Sequence, residues 1–112
     1  MAKVDEAKVR REFASAVNMT VSELRDWLET DESRKVGFRR EGATESVGHA
    51  SGRRIVTLLG KGEDELDPGD YSHMRKVVGY VHRHRAQRPE NIYTSRWRYS
   101  LMNWGHDPTK ED

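Results

Sequence analysis

Two prolines constrain this chain most, because Asp67-Pro68 can open a helix that Pro89 must close. Proline suits the first helical position, where its missing N–H is not needed, and the Asp before it can accept from the free donors of the first turn. Further along, the proline ring forbids continuation. The sequence therefore predicts one long helix from Asp67 to about Gln87. Placed at 100° intervals, Tyr71, Met74, Val77, Val78 and Val81 share one sector, which is the stripe such a helix buries. Lys76, Arg83 and Gln87 share the opposite sector, with Ser72 and Gly79 between them. That outward face is positive, and it lacks the Lys–Glu alternation of a merely solvated one.

The core around this helix has to be small. The chain has 112 residues, enough for one domain, and Val, Leu, Ile and Phe together number only twenty. With 35% charged residues such a chain borders on disorder, but its net charge is only +1 and three Trp, four Tyr and four Met add large apolar surface. Trp27 and at least one of Trp97 and Trp104 are therefore expected in the core. The absence of Cys excludes disulfides, a thiol nucleophile and thiolate metal sites. Met1 to Arg11 has no apolar run of the signal-peptide kind, and no window approaches the ~20 apolar residues of a membrane span. A cytoplasmic protein with no membrane partner is expected.

Other helix signals surround the long one. Asp5 to Val17 places Val9, Phe13, Ala16 and Val17 on one side. Thr20-Val21-Ser22-Glu23 reads as a capping box, followed by the stripe Val21, Leu24, Trp27 and Leu28. Asp31-Glu32-Ser33 can start a short turn ending at Gly37, and Phe38 to about Thr44 has the composition of a loop. Val47, Ser51, Ile55, Leu58 and Leu59 suit a helix from Glu45, with Arg53 to Leu59 its firmer half. Ser95 or Thr94 caps a last helix bearing Trp97, Leu101 and Trp104, stopped by Gly105 and Pro108. No segment alternates like a strand. The fold class expected is all-α, a single compact domain over residues 1–112 with four to six helices.

Charge is segregated along the chain. Residues 34–54 hold six basic side chains against Glu41 and Glu45, and residues 70–98 hold seven against Asp70 and Glu90, while the flanking blocks are acidic. If the two positive blocks share a face they make a footprint for a polyanion; if they meet the acidic blocks they neutralise the molecule internally.

The five histidines show no metal-site spacing. His82 and His84 point about 200° apart on a helix, and His73 lies roughly 16 Å from His84 at 1.5 Å per residue. No metal or cofactor is expected. Ser46, Ser51, Ser72 and Ser100 stand in no nucleophile motif. His106-Asp107 beside Trp104 is the most enzyme-like cluster; its structural alternative is a helix-end tail in which His106 meets carbonyls and Asp107 caps a turn.

The segment Ser46 to Leu59 supports two readings. If its helix begins near Ser51-Gly52, backbone N–H groups there could take a phosphate that Arg53 and Arg54 clamp. If it begins near Glu45, Gly48 and Gly52 lie inside it and allow another helix to pack closely.

Two resemblances follow. Met19 to Leu28 together with Ser51 to Leu59 resembles the two helices of a SAP motif, a DNA-binding helix–loop–helix, at about residues 19–59. In it Leu24, Leu28, Leu58 and Leu59 would be the core and Gly52, Arg53 and Arg54 would open the second helix; about twenty residues replace its usual short turn. Most of the chain, through VNMTVSELRDWLETDESRKVG, ESVGHASGRRIV, DYSHMRKVVGYVHRHRAQRP and RWRYSLMNWGHDP, resembles a family of small bacterial proteins of unknown function often labelled DNA-binding. That resemblance and the charge pattern imply binding of nucleic acid, DNA before RNA, through phosphate contacts with weak sequence preference, and a nucleoid location. The residues expected to make contact are Arg53, Arg54, Arg75, Lys76 and Arg83, then Arg39 and Arg40. The alternatives are a protein-interaction module docking through the aromatic helix Trp97 to Trp104, and an enzyme using His106 and Asp107.

Overall fold

Every α-helix among the described residues begins on a side chain that accepts from a backbone N–H three residues ahead. The structure is a computed structural model describing residues 5–111. It contains α1 (Glu6–Ala16), α2 (Val21–Leu28), α3 (Asp31–Lys35), α4 (Val47–Leu59), α5 (Pro68–Arg85) and α6 (Arg96–Asn103), with 3₁₀ turns at Glu63–Glu65 and Pro108–Glu111. No strand occurs among the described residues. The caps are Asp5, Thr20, Thr30, Ser46, Asp67 and Ser95, and those of α2 and α5 are reciprocal boxes with Glu23 and Asp70. Each such cap contributes about 1 kcal/mol. The long helix ends at Arg85, two residues before the expected Gln87.

The apolar stripes turn inward. The α1 helix lies along α5, α2 packs on α4, and α6 runs among α2, α3, α4 and α5. Leu24, Ile55, Val77, Val81 and Leu101 are wholly buried where these helices meet. Trp104 belongs to the core, whereas Trp27, expected there too, is only half-buried. Its indole N–H nevertheless points inward, donating to the buried Asn103 Oδ1 at 2.8 Å. The same oxygen accepts from the Ser33 hydroxyl at 2.5 Å, and the Asn103 amide donates to the Ser33 carbonyl at 3.0 Å.

The α4 helix starts at Val47 behind the Ser46 cap, so Gly52 is interior to it. The phosphate nest considered at Ser51-Gly52 is therefore ruled out, because the N–H groups there belong to the helix. Gly52 serves packing instead: a Cβ on it would lie 2.6 Å from both the Asn103 carbonyl oxygen and a Leu28 methyl. Helix propensity alone would make Gly52→Ala stabilising by up to about 1 kcal/mol. We expect the opposite sign, a loss of about 1–3 kcal/mol in urea unfolding, since the carbonyl is backbone and cannot swing away. A gain in stability would show that α4 and α6 are not this close.

Residues 105–107 join the two ends of the fold. Gly105, at φ 81°, turns the chain after α6, and its carbonyl accepts from Met19 N–H at 3.2 Å. A side chain there would be strained, and its Cβ would meet Val17 at 2.9 Å. His106 Nδ1 bonds the Ala16 carbonyl at 2.7 Å, and Asn18 and Asp107 exchange two hydrogen bonds.

Candidate functional site

Between α4, α5, the end of α6 and the 36–46 loop lies a groove formed by two adjoining hollows of about 360 and 330 Å³. Their walls share Arg40, Val47, Lys76 and Trp104. Both volumes fall at the lower end of the ~300–1,000 Å³ usual for ligand sites.

Aromatic packing builds the α5 wall. His73 and Tyr80 are two turns apart, roughly 10.5 Å along the helix axis, which leaves space for one ring between them. Trp104 fills it, its centroid 6.2 Å from His73 and 4.3 Å from Tyr80 with the planes within 16° of parallel. His84 extends the stack, 4.4 Å from Tyr80. A side chain at Gly48 would meet the Trp104 indole nitrogen, at 3.1 Å from its Cβ, so the small residue lets α4 close over this stack.

Cations surround the opening. Arg83 and Lys76 come from α5, Arg54 from α4 and Arg40 from the loop. Among the described residues no carboxylate lies within ion-pair distance of Arg40, Lys76 or Arg83. Glu45 is the one carboxylate in the walls. It is already engaged: Arg53 holds it through Nε at 2.8 Å and Nη2 at 2.5 Å, and His49 Nδ1 bonds the same group. Arg53 first, with His49 adding to it against the cost of burial, lowers the Glu45 pKa to about 2. Asp70 is buried and held by Lys61 at 2.8 Å and Arg54 at 3.4 Å, with the Lys61 bond the main cause of its lowered pKa.

The two positive blocks of the sequence thus divide. Arg40 and Arg54 from the first meet Lys76 and Arg83 from the second in the groove. The other expected contact residues lie outside its walls. Arg53 is on the flank of α4 bound to Glu45, Arg39 donates to the Arg34 carbonyl at 2.8 Å, and Arg75 is exposed elsewhere on α5. Arg34 and Arg98 pair with Glu29 and Asp107.

One contact had no signal in the sequence. The Ser51 hydroxyl and His73 Nε2 lie 2.9 Å apart within the groove. Burial first, then the charges of Arg54 and Lys76, push His73 down to about 4, so it is neutral at pH 7 and adds no charge of its own. A hydroxyl beside an imidazole is one half of an activated nucleophile. Ser51, however, is 4% exposed and lies mid-helix, where backbone N–H groups bond along α4 and do not converge on an oxyanion. The pair ties α4 to α5.

His106 and Asp107 are remote from the groove walls. His106 is 2% exposed against the end of α1. Asp107 accepts from Thr109 N–H at 3.0 Å and from Arg98 through two nitrogens at 3.2 Å. Burial works to raise its pKa, but the bonds from Arg98 and Thr109 outweigh that and hold it low. Both residues serve the tie described above. Among the described residues no three His, Asp or Glu side chains group as metal ligands do, and no helix is long and apolar enough to cross a membrane.

A groove with an aromatic wall and a cationic rim, set in an all-α fold, defines the class of site. The chain itself belongs to a family of proteins of unknown function, DUF3140, whose model matches residues 12–102. No curated protein and no solved structure matches it.

Proposed function

We propose that the protein binds nucleic acid in this groove, through phosphate contacts from Arg40, Arg54, Lys76 and Arg83. The observation that carries the reading is their convergence: four cations from three separate segments line one groove of two adjoining hollows, whose only carboxylate, Glu45, is paired with Arg53 and hydrogen-bonded to His49. Clefts lined by one sign of charge concentrate ligands of the other. Weak sequence preference follows from the walls, because the one amide there, Asn103, has both ends committed to Trp27 and Ser33 and cannot read a base edge. The SAP-like segment fits this reading in part: α2 packs on α4 as its two helices would, but of its two cations only Arg54 faces the groove. A DNA-binding role would bring a cytoplasmic, nucleoid-associated location with it. The protein-docking alternative has less support, since α6 turns Leu101, Met102 and Trp104 into the core.

Binding to labelled duplex and single-strand oligonucleotides across a salt series tests the proposal. We expect log K to fall with log salt by about 0.9 per neutralised phosphate on duplex and about 0.7 on single strands. Replacing Lys76 and Arg83 together by Ala should flatten that slope by about one to two units. Arg75→Ala, at an exposed position of α5 outside the groove walls, should leave it unchanged. No binding at low salt, or equal binding to polyglutamate, would overturn the reading.

A further inference from the structure

We infer that the groove takes a single strand, with Phe38 stacking on an unpaired base; this rests on the nucleic-acid reading above and narrows its substrate class. Phe38 is 72% exposed and lines the mouth of the hollow that contains Arg40, Lys76 and Arg83. It is one of only two Phe in a chain with few apolar residues to spare.

The surrounding backbone is fastened. The Phe38 carbonyl accepts from Val47 N–H at 2.8 Å, Val36 is buried two residues earlier, and a turn closes from Arg40 to Ala43 at 2.9 Å. The ring is thus held out at the entrance by a built loop.

An open aromatic face beside phosphate-binding cations is the arrangement by which proteins hold single strands, each base–ring stack adding to the electrostatic attraction. A duplex offers that ring nothing, because its base faces are covered by their neighbours. The site is also recessed between a loop and a helix, so it presents no element that can enter a major groove. Charge complementarity identifies the occupant: the cations require an anionic backbone, and the ring requires a flat apolar partner on it. Tyr93, the other large exposed apolar side chain among the described residues at 62%, is not in these walls and serves as a control.

The test measures fluorescence anisotropy at low salt with a short labelled strand, as DNA and as RNA, the same strand with abasic sites, and its duplex. Wild type should bind one of the strands about tenfold more tightly than the duplex and lose about tenfold on abasic strand, the scale of one stacked base. Phe38→Ala should lose about tenfold on the intact strand, nothing further on the abasic one, and keep the salt slope. Phe38→Trp should retain affinity, with its indole emission quenched by the strand. Tyr93→Ala should behave as wild type. If Phe38→Ala binds the strand as wild type does, or the duplex is preferred, the inference falls while the phosphate reading stands, provided the Lys76 and Arg83 changes still flatten the slope. If neither strand nor duplex binds, both fall.

Discussion

Trp104→Ala is expected to cost about 3–5 kcal/mol, the range for emptying a large aromatic site in a core. The indole is 4% exposed and is held between His73 and Tyr80, so its removal separates a stack that joins α5 to the end of α6. Domains of this size have about 5–15 kcal/mol in total, and the variant should therefore melt tens of degrees lower or be unfolded at room temperature. Trp104→Phe keeps one ring in the slot and should recover a substantial part. Trp97→Ala gives the contrast: that ring is half-buried with its N–H on the His84 carbonyl at 2.5 Å, and its loss should cost less. Urea unfolding of the three variants measures this. A loss below about 1 kcal/mol for Trp104→Ala would mean that the stack does not hold the helices together.

Asn103→Ala should cost about 3 kcal/mol or more, although it removes little apolar surface. The side chain has no exposure and completes three hydrogen bonds linking α6 to α2 and α3. Without it the Ser33 hydroxyl and carbonyl are left buried and unmatched, at about 1–3 kcal/mol for each such group. Asn103→Asp separates shape from chemistry: it keeps the volume but turns a carboxylate oxygen toward the Ser33 carbonyl, and should be at least as damaging as Ala. If Asp were tolerated as well as Asn, the network would not be the reason for the burial.

The helix starts were legible where a cap and its partner coincide. Thr20 with Glu23, and Asp67-Pro68 with Asp70, announce themselves, whereas Thr30 and Ser46 cap helices whose third residues, Ser33 and His49, are not the usual reciprocal partners. That is why α3 and the start of α4 were open in the sequence. The inward stripe of α5 and its outward Lys76 and Arg83 followed from periodicity alone. The groove did not, because it depends on how α4 is rotated against α5 and α6, which Gly48 and Gly52 set by close approach. Arg53 and Arg54 make the point: adjacent in sequence, they lie about 100° apart on the helix, so one closes on Glu45 and the other reaches the groove. The Ser51–His73 contact joins residues twenty-two apart that no spacing rule connects.

The tie from residues 105–107 back to the junction of α1 and α2 has a consequence for the order of events during synthesis. Its hydrogen bonds span 89 and 90 residues, between Asn18 and Asp107 and between Ala16 and His106. A nascent chain lengthens at about 5–20 residues per second, so the first two helices spend seconds outside the ribosome before their partners exist. Through that interval Val17 and Met19 have nothing to bury against from the Gly105 turn, and α1 has no α5 to lie along until Arg85 has been added. Helix α1 therefore lacks both the helix it lies along and the turn that closes over its end until the last segment of the domain has been made.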